Sequence, residues 1–397
     1  MPNEIRPTGL RGLWLQLRGT IAVFDGPFIS MFLGIAVLSS LIVYSAAFDF
    51  PGRFLDHVRN LGIAILIMWV VAHINPSVLQ RVAVPLFLLG LLLLIAVAVA
   101  GDVSKGARRW LNIGITRIQP SEVMKIAMPM MLAWIVHRYE GLRHLGHWAV
   151  AVLVLAIPTG FILAQPDLGT SILVASAGLF VLFFAGLSWR IVLIALGFLG
   201  VGILGLIIFG DAACTDGLSW PGFHEYQRQR VCTLIDPMRD PLGKGFHIIQ
   251  SVIAVGSGGL FGKGWMQGTQ THLEFIPERT TDFVFAAFSE EFGFLGNLLL
   301  IALYSGLVLR GLWIAIGAPT LFSRLLAGAL SLIIFSYAFV NMGMVTGILP
   351  VVGVPLPWMS YGGTAMVTLG FGAGMLMSIA RTRSQTVQGF SFYHSSR

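Results

Sequence analysis

Residues 80–100 read QRVAVPLFLLGLLLLIAVAVA. After Arg81 no charged side chain interrupts the run, which matches the roughly 20 apolar residues a helix needs to cross a bilayer. It lacks the strict in-out alternation of a barrel strand, and in lipid only helices and closed barrels satisfy their own backbone. Comparable runs recur along the chain, at about 28–48, 59–74, 120–137, 148–164, 170–187, 190–210, 283–309, 325–348 and 364–380. The expectation is an all-α polytopic membrane protein of about ten spans, with residues 1–397 forming one transmembrane domain. Composition agrees: 56% of the 397 residues are hydrophobic and 11% charged, where a soluble chain carries about a quarter charged. The first apolar run begins beyond a basic lead and has no A-x-A cleavage site, so no cleaved signal peptide is expected.

Charge sets the orientation. With the N-terminus in the cytoplasm, the inner segments hold Arg6, Arg11, Arg18, Arg138, Arg143, Arg310, Arg324, Arg381 and Arg383 against few acids. The long outer loop 211–282 carries further basic residues, but long loops escape the positive-inside rule. Both termini are therefore expected inside. Against that pattern, Lys105, Arg108, Arg109 and Arg117 crowd the short outer stretch SKGARRWLNIGITR. Two readings fit: interfacial snorkelling around Trp110, or an electropositive cleft for an anion.

The 211–282 loop contains DPLGKGFHIIQSVIAVGSGGLFGKGW, whose central apolar stretch is too short to span and reads as an interfacial or re-entrant helix. Its lysines, Lys244 and Lys263, sit in glycine-rich backbone that either approaches phosphates or simply hinges. The pattern is not a nucleotide-binding P-loop, because Ser257 and Gly264 break it. Cys214 and Cys232 share this loop, as a bridge or as two free thiols. No Cys or His spacing fits a metal site.

Several polar groups stand at span edges. Glu122 and Lys125, three apart in QPSEVMKIA, share a helix face and can pair. Asp167 in AQPDLGT fits a turn or helix cap. The stretch HLEFIPERTTDFVFA (272–286) places Glu278, Arg279 and Asp282 where a span begins. Asp282 there is either the N-cap or a catalytic acid. Glu290 and Glu291 follow; Glu290 would lie about 12 Å further along the helix, and intramembrane acids are functional candidates.

These stretches, together with YQRQRV and NMGMVTGILPVVGVPLPWMSYGG, occur in an order that resembles the SEDS family of membrane peptidoglycan glycosyltransferases over nearly the whole chain from about residue 28. PERTTDF and the GTQTHLEF run before it are more similar to the elongation (RodA-like) branch than to the division (FtsW-like) branch. Two departures stand out. DAACTDGLSWPGFHEY lengthens the outer loop and brings in both cysteines, and PLPWMSYGG carries the extra Pro357 and Trp358.

The resemblance implies an inverting enzyme that polymerises lipid II outside the cytoplasmic membrane. It implies a class B penicillin-binding protein (a transpeptidase) and elongation-complex membrane proteins as partners, and no nucleic acid. Asp282 corresponds to the family's essential acid, Glu122 and Lys125 to its paired residues, and Lys105, Arg108 or Arg109 to its basic run. On electrostatic grounds Arg108, Arg109, Lys244, Lys263 and Arg279 are candidate clamps for pyrophosphate, with Lys105 a further binding candidate, while Glu122, Lys125, Asp167 and Glu290 would shape the cavity or tune Asp282. No ATP is needed, and a divalent cation is an optional aid. A lipid-precursor flippase and a non-catalytic scaffold are the alternative functions.

Overall fold

A computed structural model describes residues 23–395 apart from 105–106, 113–116, 216–219, 221–224 and 277. In chain order its helices are α1 (Gly26–Ala46), α2 (Arg53–Ala72), α3 (Pro76–Ala100), α4 (Pro120–Arg138), α5 (Leu145–Ala164), α6 (Leu168–Phe184) and α7 (Trp189–Ala213). Three shorter ones follow in the long loop: α8 (Glu225–Ile235), α9 (Lys244–Ser257) and α10 (Thr269–His272). The last three are α11 (Val284–Ile316), α12 (Leu321–Val345) and α13 (Gly363–Ser395). A long helix thus stands at each expected span.

Among the described residues, eight helices are long and apolar enough to cross a membrane. The other two, α4 and α6, fall short for identifiable reasons. Helix α6 has 17 residues, and α4 carries Glu122, Lys125 and Arg138. Both pack against α12 and against each other, so neighbouring protein surrounds much of their surface.

Helix starts follow their capping chemistry. Asp25 accepts from Phe28 N ahead of α1, and Asn75 from Ser77 N ahead of α3, each with proline in the first turn. Of the eight apolar helices, α12 is the most enclosed, touching α4, α6, α11 and α13. Helix α13 lies tightly on α2, where a Cβ on Gly370 or Gly374 would meet the carbonyl oxygens of Ala64 or Met68 at 2.7 Å. Helix α7, by contrast, is exposed along most of its length and packs on α8.

Two features depart from an all-helical expectation. The 102–118 stretch forms a small antiparallel sheet of β1 (Asp102–Ser104), β2 (Ala107–Asn112) and β3 (Arg117–Ile118), which gives its backbone groups partners. Helix α11 also breaks at Gly293, with φ 65° and ψ −162°. The break takes backbone groups out of the helix ladder, and the 259–264 loop satisfies them. Lys263 N donates to Glu290 O at 2.9 Å and Gly264 N to Glu291 O at 3.1 Å, while Phe294 N donates to Gly259 O at 2.9 Å.

Candidate active site

Asp282 sits in a turn just before α11, and the cap position belongs to Phe283, which makes no side-chain capping bond. The capping role expected for Asp282 is therefore corrected. Other groups fix this turn. Asn341, fully buried on α12, donates from Nδ2 to the carbonyls of Asp282 at 2.8 Å and Val354 at 2.7 Å. Tyr361 N donates to Thr280 O at 2.7 Å, and Arg53 Nη1 to Thr280 Oγ1 at 2.9 Å. Arg279 turns away toward α1, where Nε donates to Ala46 O at 2.9 Å and Nη2 pairs with Asp49. The rings of Phe48 and Phe50 cover its guanidinium.

The half-buried Asp282 carboxylate faces the 351–354 segment. There Gly353 takes φ +72°, and a Cβ would stand 3.4 Å from Asp282 Oδ2. Glycine suits the position twice, for its backbone angle and for the room it leaves.

A cavity of about 580 Å³ opens beside this turn, lined by Tyr226, Gln229, Arg230 and Thr233 from α8, His247 and Ile248 from α9, and Asp240, Gly243 and Val351. His247 stacks on Phe283, the residue after Asp282, with ring centroids 5.8 Å apart. Burial lowers the His247 pKa and the Glu278 carboxylate opposes that shift, so the ring favours its neutral form. Burial also lowers the pKa of Arg230. The Arg109 charge adds to that, while Tyr226, Asp167 and Asp282 counter it. These charges therefore share one electrostatic environment. Arg230 Nη1 and His247 Nδ1 are buried without a hydrogen-bond partner in the protein.

The remaining expected residues divide. Arg109 reaches the α5–α6 turn, donating from Nη2 to Pro166 O at 2.6 Å and standing 3.9 Å from Asp167. Asp167 caps α6 through Thr170 N at 3.2 Å and accepts from Gln119 Nε2 at 3.1 Å. Lys125 donates to Glu122 at 2.6 Å within the bundle, with the Tyr337 ring 5.1 Å from its ammonium. Lys105 lies outside the described residues, as do the side chains of Arg108, in β2, and Lys244, at the start of α9.

Glu290 and Lys263 do not line the cavity. Glu290 is fully buried and accepts from Lys263 Nζ at 2.7 Å, Gln270 N at 2.8 Å and Thr271 Oγ1 at 3.0 Å. The pair fastens the 263–271 loop to α11, in place of the cavity and clamp roles expected of them. Cys214 and Cys232 are bridged, joining the end of α7 to α8.

Sequence reasoning assigned no role to Arg230, His247 or Asn341. Tyr226, Gln229, Arg230 and Thr233 recur at helical spacing and share a face of α8, a signal present in YQRQRVCT. Asn341, a lone amide in an apolar span, was also visible as a polar group needing partners.

The sequence model of the family described as Cell cycle protein (FtsW, RodA and SpoVE) matches residues 24–385. The chain belongs to the FtsW/RodA/SpoVE family. Within that family it is 49% identical over 355 residues to the peptidoglycan glycosyltransferase MrdB of Escherichia coli K12, covering 89% of this chain and 93% of that protein. To the peptidoglycan glycosyltransferase RodA of Treponema pallidum it is 30% identical, covering 92% and 99%. The fold of this FtsW/RodA/SpoVE member superposes on the crystal structure of the rod shape determining protein RodA of Thermus thermophilus with a TM-score of 0.67 at 27% identity, covering 91% and 97%. A chain from a peptidoglycan synthase complex, solved in work on the coordination of polymerization and crosslinking, matches with a TM-score of 0.73 at 31% identity, covering 91% and 99%.

Proposed function

We propose that this chain is a peptidoglycan glycosyltransferase that joins lipid II units into β-1,4 glycan strands at the outer face of the cytoplasmic membrane during cell elongation. The observation that carries the proposal is Asp282 on a turn held from several sides, beside a cavity lined by Arg230, in a chain whose relatives are named for this activity.

The chemistry fits those groups. The donor sugar is α-linked to an isoprenoid diphosphate and the product is β-linked, so the reaction inverts at C1. Asp282 accepts the proton of the acceptor 4-hydroxyl as that oxygen bonds to C1. The bond from C1 to the phosphate oxygen breaks, and its electron pair leaves with the diphosphate. Basic side chains stabilise that charge, Arg109 and the Arg108 and Lys244 positions among the candidates. The diphosphate is already an activated leaving group, so no ATP is required, and a divalent cation would act on the same charge. Glu122 and Lys125 would hold the bundle wall behind the site. Orientation with both termini in the cytoplasm places this end of the bundle outside. A class B penicillin-binding protein within the elongation assembly would crosslink the strands, and the match to a synthase complex chain supports that pairing.

The test is purified protein, with and without its transpeptidase partner, given lipid II in detergent. Polymer formed with no bilayer to cross supports an enzyme. Its absence under both conditions would favour a flippase or scaffold.

A further inference from the structure

Most described cations near the site already have protein partners. Lys263 is paired with Glu290, Arg279 with Asp49, and Arg228 with Glu225, while Arg109 donates from Nη2 to Pro166 O and leaves its buried Nε without a partner. Arg230 differs. It lines the cavity of about 580 Å³, and its Nη1 is buried with no hydrogen-bond partner in the protein. On the facing wall, His247 Nδ1 is likewise buried and without a partner. Buried polar atoms without partners cost stability unless something fills the space between them. The cavity that both residues line has the size of a ligand pocket.

We infer that Arg230 binds the diphosphate of an isoprenoid-linked sugar in this cavity, with His247 Nδ1–H supplying a second hydrogen bond. The inference rests on the glycosyltransferase reading above and adds a residue to it. The chemistry of the guanidinium and two features of its surroundings converge. A guanidinium matches phosphate oxygens in forked geometry and keeps its charge when half out of water. The Arg109 charge disfavours the Arg230 cation, and an anion bound at Arg230 offsets that repulsion. The cavity that Arg230 lines is also lined by His247, whose ring stacks on Phe283, the residue after Asp282, so an anion there lies near the proposed base. That placement favours a phosphate at the reacting centre over a carboxylate on a distant part of the substrate. Helix α8 presents Arg230 and is tied to the bundle by the Cys214–Cys232 bridge and by Arg228 Nη1 donating to Thr215 O at 3.1 Å.

Both donor and acceptor carry such a diphosphate. Farnesyl diphosphate and farnesyl monophosphate serve as binding probes for the full-length protein in detergent, comparing wild type with Arg230→Gln, Arg230→Lys and His247→Asn. The expected result is about ten-fold weaker farnesyl diphosphate binding in Arg230→Gln, a smaller loss in Arg230→Lys and in His247→Asn, and little effect on the monophosphate. In lipid II polymerisation a fall in kcat shows a contact that strengthens in the transition state, as a leaving-group contact would, whereas a raised KM with unchanged kcat shows a contact made equally in the ground state. Unchanged diphosphate affinity in Arg230→Gln, with the bridge intact and thermal unfolding near wild type, overturns the inference while leaving the enzyme assignment standing. Wild type that binds the probe through Arg230 yet makes no polymer overturns the enzyme assignment instead.

Discussion

Replacing Asn341 by leucine tests how the candidate site is held. Asn341 Nδ2 spans two carbonyls, those of Asp282 and Val354, at 2.8 and 2.7 Å, and the side chain is fully buried. Leucine keeps most of the volume and removes both bonds. Each bond contributes about 1 kcal/mol net, and a carbonyl left buried without a donor costs about 1–3 kcal/mol. The expected destabilisation is therefore about 2–4 kcal/mol, read by unfolding in mixed micelles. The effect on turnover should be larger than stability alone implies. The Asp282 turn and the Gly353 segment would separate, and a shift of about 1 Å at a reacting group can cost about a hundred-fold in rate. The assay is lipid II polymerisation at a temperature where the variant remains folded. A variant within about 0.5 kcal/mol of wild type, with normal turnover, would refute the claim that Asn341 fixes the turn.

Other substitutions probe the surroundings. Glu290→Ala should leave the Lys263 ammonium and the amides of Gln270 and Thr271 without their acceptor, destabilising by about 3–5 kcal/mol and raising hydrogen exchange across 263–271. A Glu290→Ala protein with unchanged exchange there would contradict the fastening role. Reducing the Cys214–Cys232 bridge, or Cys232→Ser, should weaken the loop it closes by up to about 3 kcal/mol and raise exchange in Glu225–Ile235, with α11 little changed. His247 should make stability depend on pH. Its folded pKa lies below the ordinary 6.5, so the unfolded chain binds the proton more readily as pH falls below 6.5. Stability should thus decline on acidification from that value, and His247→Gln should flatten the decline. An identical pH profile in the two proteins would remove His247 as its source.

The helices were legible because each depends on a local apolar run: 80–100 alone forces a spanning helix, and α3 covers it. Even the charged α4 and the short α6 were readable from such runs, and the Glu122–Lys125 pair followed from spacing along one helix. The sheet at 102–118 was not, since its strands are too short to show alternation. Neither was the break at Gly293. It depends on a separate segment, 259–264, arriving to satisfy the opened backbone. The same non-local pairing explains Glu290, whose partners at 263–271 come from the long loop, and it drew Lys263 into a fastening role. Arg230 and His247 escaped notice because they meet only when α8 and α9 face each other across a cavity. Asp282 was legible as a cap or a catalytic acid, the resemblance chose the second, and the structure gives the cap position to Phe283.

Asp282→Asn tests the central claim most directly. The amide keeps the shape of the side chain and removes the base, and the backbone carbonyl that Asn341 holds is untouched. Purified Asp282→Asn protein, folded and bridged like wild type, should bind lipid II yet form no glycan polymer. Polymerisation at a substantial fraction of the wild-type rate would contradict the assignment of Asp282 as the base.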